Sequence, residues 1–249
     1  MRVPEITAIF WTIKILTTGM GETLSDFLGT HGNELINGAA IVLVFVAVFV
    51  VQFRMRRYVA GVYWACVAMV SVLGTVVADV AHAAGIPYWI TSIVFLVAVA
   101  TILALWRRTT GSLDVHTITE RTPERYYWAT VMATFALGTA LGDLTAATLH
   151  LGYLASTIGF GIAILIPLVA WRWGLSPVVA FWIAYILTRP LGASAADWLA
   201  DPRYKSGLGI GTGPVTAVWL TAIVGLVSYL AVRQRRSVAD HRQLSRTSA

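Results

Sequence analysis

The chain has 249 residues, of which 57% are hydrophobic and only 12% charged, with a net charge of +6 and a mean hydropathy of +0.74. A soluble domain carries about 25% charged residues, so this composition excludes a soluble globular fold and a disordered chain alike. A single cysteine, Cys66, excludes a disulfide framework and a cysteine-ligated zinc or iron–sulfur site. The basic balance is not that of a nucleic-acid binder, because the bases sit in short clusters between apolar runs, which is the pattern of membrane topology.

A helix needs about 20 apolar residues to cross a bilayer. Eight stretches meet this, at roughly 5–29, 36–53, 59–83, 87–106, 124–149, 153–171, 177–199 and 213–232. The first is no cleavable signal peptide, since Glu5 and Lys14 interrupt it and no small-residue cleavage site follows. Pro4, Pro87, Pro123, Pro177 and Pro214 mark starts, where the missing N–H had no helical partner anyway. The expectation is an all-α integral membrane protein with one transmembrane domain over 1–232, a polar loop at 109–123 and a basic tail at 233–249.

The bases orient these spans. Arg2, Arg54, Arg56, Arg57, Arg107, Arg108, Arg121, Arg125, Arg172, Arg233, Arg235, Arg236, Arg242 and Arg246 fall on one side, and only Arg203 and Lys205 on the other. The positive-inside rule then puts both termini in the cytoplasm, with the protein multi-pass in the plasma membrane. Lys14 and Arg189 remain within spans.

The odd-numbered spans share one ungapped pattern, aromatic-Trp-x9-Gly-x4-Asp. Phe10-Trp11 leads to Gly21 and Asp26, Tyr63-Trp64 to Gly74 and Asp79, Tyr127-Trp128 to Gly138 and Asp143, and Phe181-Trp182 to Gly192 and Asp197. With seven aspartates in the whole chain, four chance coincidences are excluded. The spacing predicts four parallel two-helix repeats, at about 4–57, 58–108, 121–173 and 176–233, each a hairpin of one motif span and one return span. Fifteen residues from Trp to Asp at ~1.5 Å each is about 22 Å. With the tryptophans near the cytoplasmic face, the aspartates lie at one depth in the outer part of the bilayer core, as a ring if the motif spans surround one axis.

Intramembrane charge is costly, at least ~2.5–3.5 kcal/mol at mid-helix. The motif spans nevertheless hold Glu22, Asp26, Asp79, Asp143 and Asp197, against Lys14 and Arg189. With all seven ionised the interior carries a net −3, which calls for a proton, a metal ion or another cation. Glu22, Thr75 and Thr139 stand four residues before their aspartates and so share the same helix face. The expected ion-binding set is therefore Asp26, Asp79, Asp143 and Asp197, the metal ligands, with Glu22, Thr75 and Thr139; such hard oxygens suit Mg²⁺, Ca²⁺ or Mn²⁺. Arg189 is expected to balance charge as a tethered counter-ion to Asp197 or a neighbouring acid. Lys14 either pairs with Glu22 or snorkels to the cytoplasmic interface. Gly21, Gly74, Gly138 and Gly192 are expected to let helices approach closely.

FWTIKILTTGMGETLSDFL, LGTALGDL and FWIAYILTRPLGASAADWL resemble a bacterial family of uncharacterised membrane-anchored proteins, over nearly the whole chain from Val3 to about Leu230. The resemblance implies a multispanning membrane protein and no activity. Acidic motifs in repeated spans are also similar in general design to small cation exporters, though the motif differs. The leading expectation is a cation transporter, exporting a divalent metal in exchange for protons. It is not an enzyme, needs no cofactor, binds no nucleic acid, and has the lipid bilayer, a small inorganic cation and protons as partners, with a homo-oligomer left open. A non-transporting scaffold or accessory subunit is the first alternative. An intramembrane aspartyl protease is the second, on LGTALGD, but Ala140 stands where that motif has its first glycine.

Overall fold

The computed structural model describes residues 2–247, with side chains described as far as Gln234. It contains α1 (Ala8–Thr30), α2 (Glu34–Arg54), α3 (Ala60–Ala83), α4 (Tyr88–Thr110), α5 (Arg121–Asp143), α6 (Gly152–Arg172), α7 (Pro177–Ala200) and α8 (Thr212–Thr247), and no strand among the described residues. Local chemistry explains several ends. The Thr7 hydroxyl accepts from the Phe10 N–H, the Asn33 side chain accepts from the Leu35 and Ile36 N–H groups, and Pro177 is the first residue of α7. α8 continues as helix past 232 and takes in most of the basic tail.

Seven helices, α2 to α8, are long and apolar enough to cross a membrane. α1 is not among them, because it carries Lys14, Glu22 and Asp26 within 23 residues. Composition sorts the helices into two layers. α1, α3, α5 and α7 bury most of their hydroxyls, glycines and charges, whereas α2, α4, α6 and α8 turn apolar side chains outward: Leu43, Val97, Ile162 and Val218 are each more than half exposed. Apolar surface of this extent is what a lipid phase covers.

The inner helices form a closed square, with α1 against α3, α3 against α5, α5 against α7, and α7 against α1. The motif residues close it in register. At one end Phe10 meets Trp64 (ring centroids 5.6 Å apart), Tyr63 meets Trp128 (5.4 Å), Tyr127 meets Trp182 (6.2 Å) and Phe181 meets Trp11 (5.6 Å). Each unit's aromatic thus packs on the next unit's tryptophan. These tryptophans are core residues, Trp64, Trp128 and Trp182 being buried, and not the lipid-interface markers their position in the spans suggested. Of the others, Trp173 is exposed, while Trp106 is buried and Trp219 lies on Gly19.

The second layer shows how the two-helix units interlock. The two helices of a unit touch only slightly; each outer helix packs on the inner helix of the following unit, α2 on α3, α4 on α5, α6 on α7, and α8 back on α1. The motif glycines obey the same rotation. A Cβ at Gly21 would lie 1.9 Å from Ser71 Oγ, at Gly74 2.8 Å from Phe135 Cβ, at Gly138 1.9 Å from Arg189 Cγ, and at Gly192 2.6 Å from Thr18 Cγ2. Each faces the same repeat position of the next unit. Small residues permit such close approach where no hydrophobic force joins helices in lipid.

This predicts that Gly138→Ala overpacks the square and costs about 1–3 kcal/mol, whereas Gly225→Ala, with nothing within 4 Å, is neutral or slightly stabilising. Thermal unfolding of both variants in detergent measures the difference.

Candidate functional site: an acidic cavity above a caged arginine

From the aromatic end, the axis of the square is built in layers one helical turn apart. That end is covered from outside by the loop between α4 and α5. Val115 and Ile118 are buried in one cluster with Trp64, Trp106 and Trp128. The Trp182 indole N–H donates to the Leu113 carbonyl (3.0 Å). The Arg2 N–H donates to the Ile118 carbonyl (3.1 Å), and its guanidinium pairs with buried Glu124, which also accepts from Gln52 Nε2 (3.0 Å). The polar loop at 109–123 is therefore a plug over the aromatic layer.

Lys14 comes next. It is 1% exposed, its Nζ has no hydrogen-bond partner among the described residues, and it lies 4.1 Å from the Phe135 ring centroid and 4.2 Å from that of Tyr185. Lys14 thus neither pairs with Glu22 nor snorkels. Its ammonium lies over two rings, whose π faces attract a cation.

One turn further, Arg189 of α7 is fully buried and reaches all the other inner helices. Its Nε donates to the Phe135 carbonyl (3.3 Å) and Nη1 to the Thr18 carbonyl (3.1 Å). Nη1 also pairs with Glu22 Oε2 (2.9 Å), and Nη2 donates to the hydroxyls of Thr75 (2.5 Å) and Thr139 (2.7 Å). A guanidinium has five N–H donors, and these five contacts use every one. Thr75 and Thr139 in turn donate to Glu22 Oε2 at 3.0 and 3.3 Å. Sequence reasoning assigned Glu22, Thr75 and Thr139 to a bound cation, and made Arg189 the counter-ion of Asp197 or a neighbouring acid; that acid is Glu22. In the structure those three oxygen-bearing side chains surround Arg189 itself. The repeat alignment held the signal, since Thr18, Ser71, Phe135 and Arg189 occupy one repeat position, four residues before the Glu22, Thr75, Thr139 and Ala193 position.

Beyond this cage the square opens into a cavity of about 690 Å³. Asp26, Asp79, Asp143 and Asp197 all line it, with Glu22 at its floor and Glu34, Asp201 and Lys205 also in its wall. Lys205 stands 3.8 Å from Asp201, while Glu34 and Lys205 are exposed, so the cavity reaches the surface. The four aspartates share a cavity without converging. Among the described residues, no three His, Cys, Asp or Glu side chains come close enough to hold a metal ion. The expected ring is seen as an acidic lining of one cavity, with one aspartate from each inner helix. His31 and His82 stand outside that wall, stacked on Phe27 (4.3 Å) and Tyr88 (3.9 Å).

Two lining residues escaped the sequence reading, Tyr88 and Tyr153. They fall nine and ten residues after the aspartates of their own units, a spacing that could have flagged them. The backbone is also irregular here, because α5 ends at Asp143 and runs into a π turn, Leu144–Thr148, followed by His150 at φ 56°. Such turns recur at functional sites.

A closed square of inner helices inside an apolar outer layer defines a multi-pass membrane protein built from internal repeats. The chain belongs to the family described as a repeat of unknown function, DUF347, whose model matches residues 9–58, 62–112, 126–174 and 180–236. No curated protein and no solved structure matches it.

Removing one partner of a buried ion pair costs about 3–5 kcal/mol. Glu22→Gln and Arg189→Gln should each destabilise by that order, and the double variant by clearly less than the sum. Arg189→Lys should not rescue, since an ammonium has three donors where five are used. A double-mutant cycle on detergent-solubilised protein tests this.

Proposed function

We propose that this protein is a membrane transporter of cations, loaded through the acidic cavity and coupled to protons. The observation that carries the reading is the cavity wall: seven carboxylates and one lysine, beside a guanidinium already satisfied by its own cage. Those aspartates are not neutralised from within, so a cation entering from the open end is attracted to them. Its way to the other end is barred by Arg189, by Lys14 and by the aromatic layer under the loop plug. This is the arrangement of a carrier open on one side and shut on the other, in which passage requires the Arg189 cage to rearrange. Pro190, directly after Arg189 within α7, frees a backbone carbonyl at the place where such movement is needed. Carboxylates that release a cation can take up protons, and this supplies the coupling.

The reading includes eight membrane spans in four parallel repeats. α1 is admitted to the membrane because Glu22 is paired and Lys14 shielded inside the bundle. Both termini lie in the cytoplasm, so the plugged aromatic end faces inward and the cavity outward, on the fourteen-to-two division of loop bases. The non-transporting scaffold is the competing reading, and it makes opposite predictions.

Reporter fusions at Gly111 and at the C-terminus should both report a cytoplasmic location; a periplasmic signal at either site overturns the orientation. In proteoliposomes carrying a pH indicator, a cation gradient should drive proton movement. Asp79→Asn or Asp143→Asn should reduce flux at least about tenfold, a loss of ~1.4 kcal/mol or more, without changing the amount of protein reconstituted. Undiminished flux in all four Asp→Asn variants, or no flux of any cation in the unaltered protein, favours the scaffold.

A further inference from the structure

Resting on the transporter reading above, we propose that the cavity takes an organic polycation, a linear diamine or triamine with its ammonium groups spaced along methylenes, in preference to a bare divalent metal ion. A metal ion draws its oxygen ligands to within about 2.0–2.6 Å of one centre, which requires side chains that converge, and no three acidic or histidine side chains among the described residues do so. The motif aspartates are instead distributed around the wall, one from each inner helix. Distributed carboxylates match a ligand whose charges are themselves distributed, because each ammonium brings three donors and needs its own acceptors.

At about 690 Å³ the cavity falls within the range of about 300–1,000 Å³ typical of small-molecule sites. An ion with a few waters, at ~30 Å³ each, fills a small part of it. The wall is also mixed in a way a bare ion does not use. Ile41 and Val76 supply apolar surface for methylenes, and Tyr88 and Tyr153 add aromatic surface beside the carboxylates.

Asp197 is a separate observation. It is 7% exposed and lines the cavity, and its carboxylate makes no hydrogen bond or ion pair among the described residues. Arg189, one face-turn pair away on the same helix, is spent on Glu22 and the two threonines. Its oxygens are not sealed in the interior but open on the cavity, where a ligand ammonium seated against them supplies the partner that the protein does not.

The test separates ligand class from transport. Binding of spermidine, 1,4-diaminobutane, butylamine, Mg²⁺, Ca²⁺ and Mn²⁺ to the full chain in nanodiscs is measured by calorimetry at constant ionic strength. The expected order is spermidine tightest, then 1,4-diaminobutane, then butylamine. The diamine should exceed the monoamine of equal carbon number by about tenfold or more, the worth of one charge-assisted hydrogen bond. Asp197→Asn should weaken diamine binding by at least a similar factor. The diamine-to-monoamine ratio on the unaltered chain stands even if that variant fails to fold. Equal binding of diamine and monoamine, or Mn²⁺ binding more tightly than spermidine, overturns the proposal. Flux in proteoliposomes is the independent arm. Metal flux without amine binding removes the ligand class and leaves the transporter, whereas amine binding without flux of any cation leaves the ligand class and removes the transporter.

Discussion

The bundle is organised around one guanidinium. An arginine cannot shed its charge, and an unsatisfied donor away from water is costly, so Arg189 must find five acceptors wherever its helix places it. It finds them on α1, α3 and α5, two of them backbone carbonyls, two hydroxyls and one carboxylate. Every inner helix therefore contributes to one polar cluster, and their order round the axis and their heights are fixed together. Glu22 and Arg189 cancel locally. For that reason the four motif aspartates are left to face the cavity on their own, and the distribution of charge along the axis follows from where the arginine is held.

The second constraint is rotational. Aromatic on tryptophan, glycine against the following unit, and outer helix on the following inner helix all advance one unit in the same sense. A unit taken alone leaves its outer helix without its main partner and its inner helix without the neighbours that flank it. Stability comes from the seams between units, as in repeat proteins generally, where a single repeat cannot bury its own face. Here the array closes on itself, so there is no terminal repeat to cap.

The spacing of aromatic, Trp, Gly and Asp made the inner helices and their register legible, because an identical interval on four parallel helices puts equivalent residues at equal height. It also pointed to the aspartates sharing one level. Hydropathy does not report which helix lies beside which, and so the packing of each outer helix on the inner helix of the following unit was not legible. The partners of Arg189 depend on rotation about each helix axis, which a run of apolar residues leaves undetermined. Glu22, Thr75 and Thr139 were correctly grouped, since they share a repeat position, but their cation proved to be a side chain of the same protein. Lys14 was misplaced for a related reason. A lysine near a helix start ordinarily reaches for headgroups, and only the three-dimensional structure shows Phe135 and Tyr185 within reach. The loop at 109–123 looked polar because Val115 and Ile118 are two apolar residues among many polar ones; their burial depends on the aromatic floor beneath them.

The closing of the array by α8 on α1 has a consequence for biogenesis. Chains enter the membrane from the N-terminus, and α1 is the helix whose charges exclude it from the set apolar enough to span. Its ion-pair partner Arg189 lies 167 residues later in the chain, and the outer helix that covers it begins only at Thr212. α1 is thus synthesised well before the two helices that complete it. Until α7 and α8 have been made, Glu22 has neither its guanidinium nor the outer helix that covers its own. A chain truncated before α7 would lack more than its final repeat, because it would leave its own first helix unpaired.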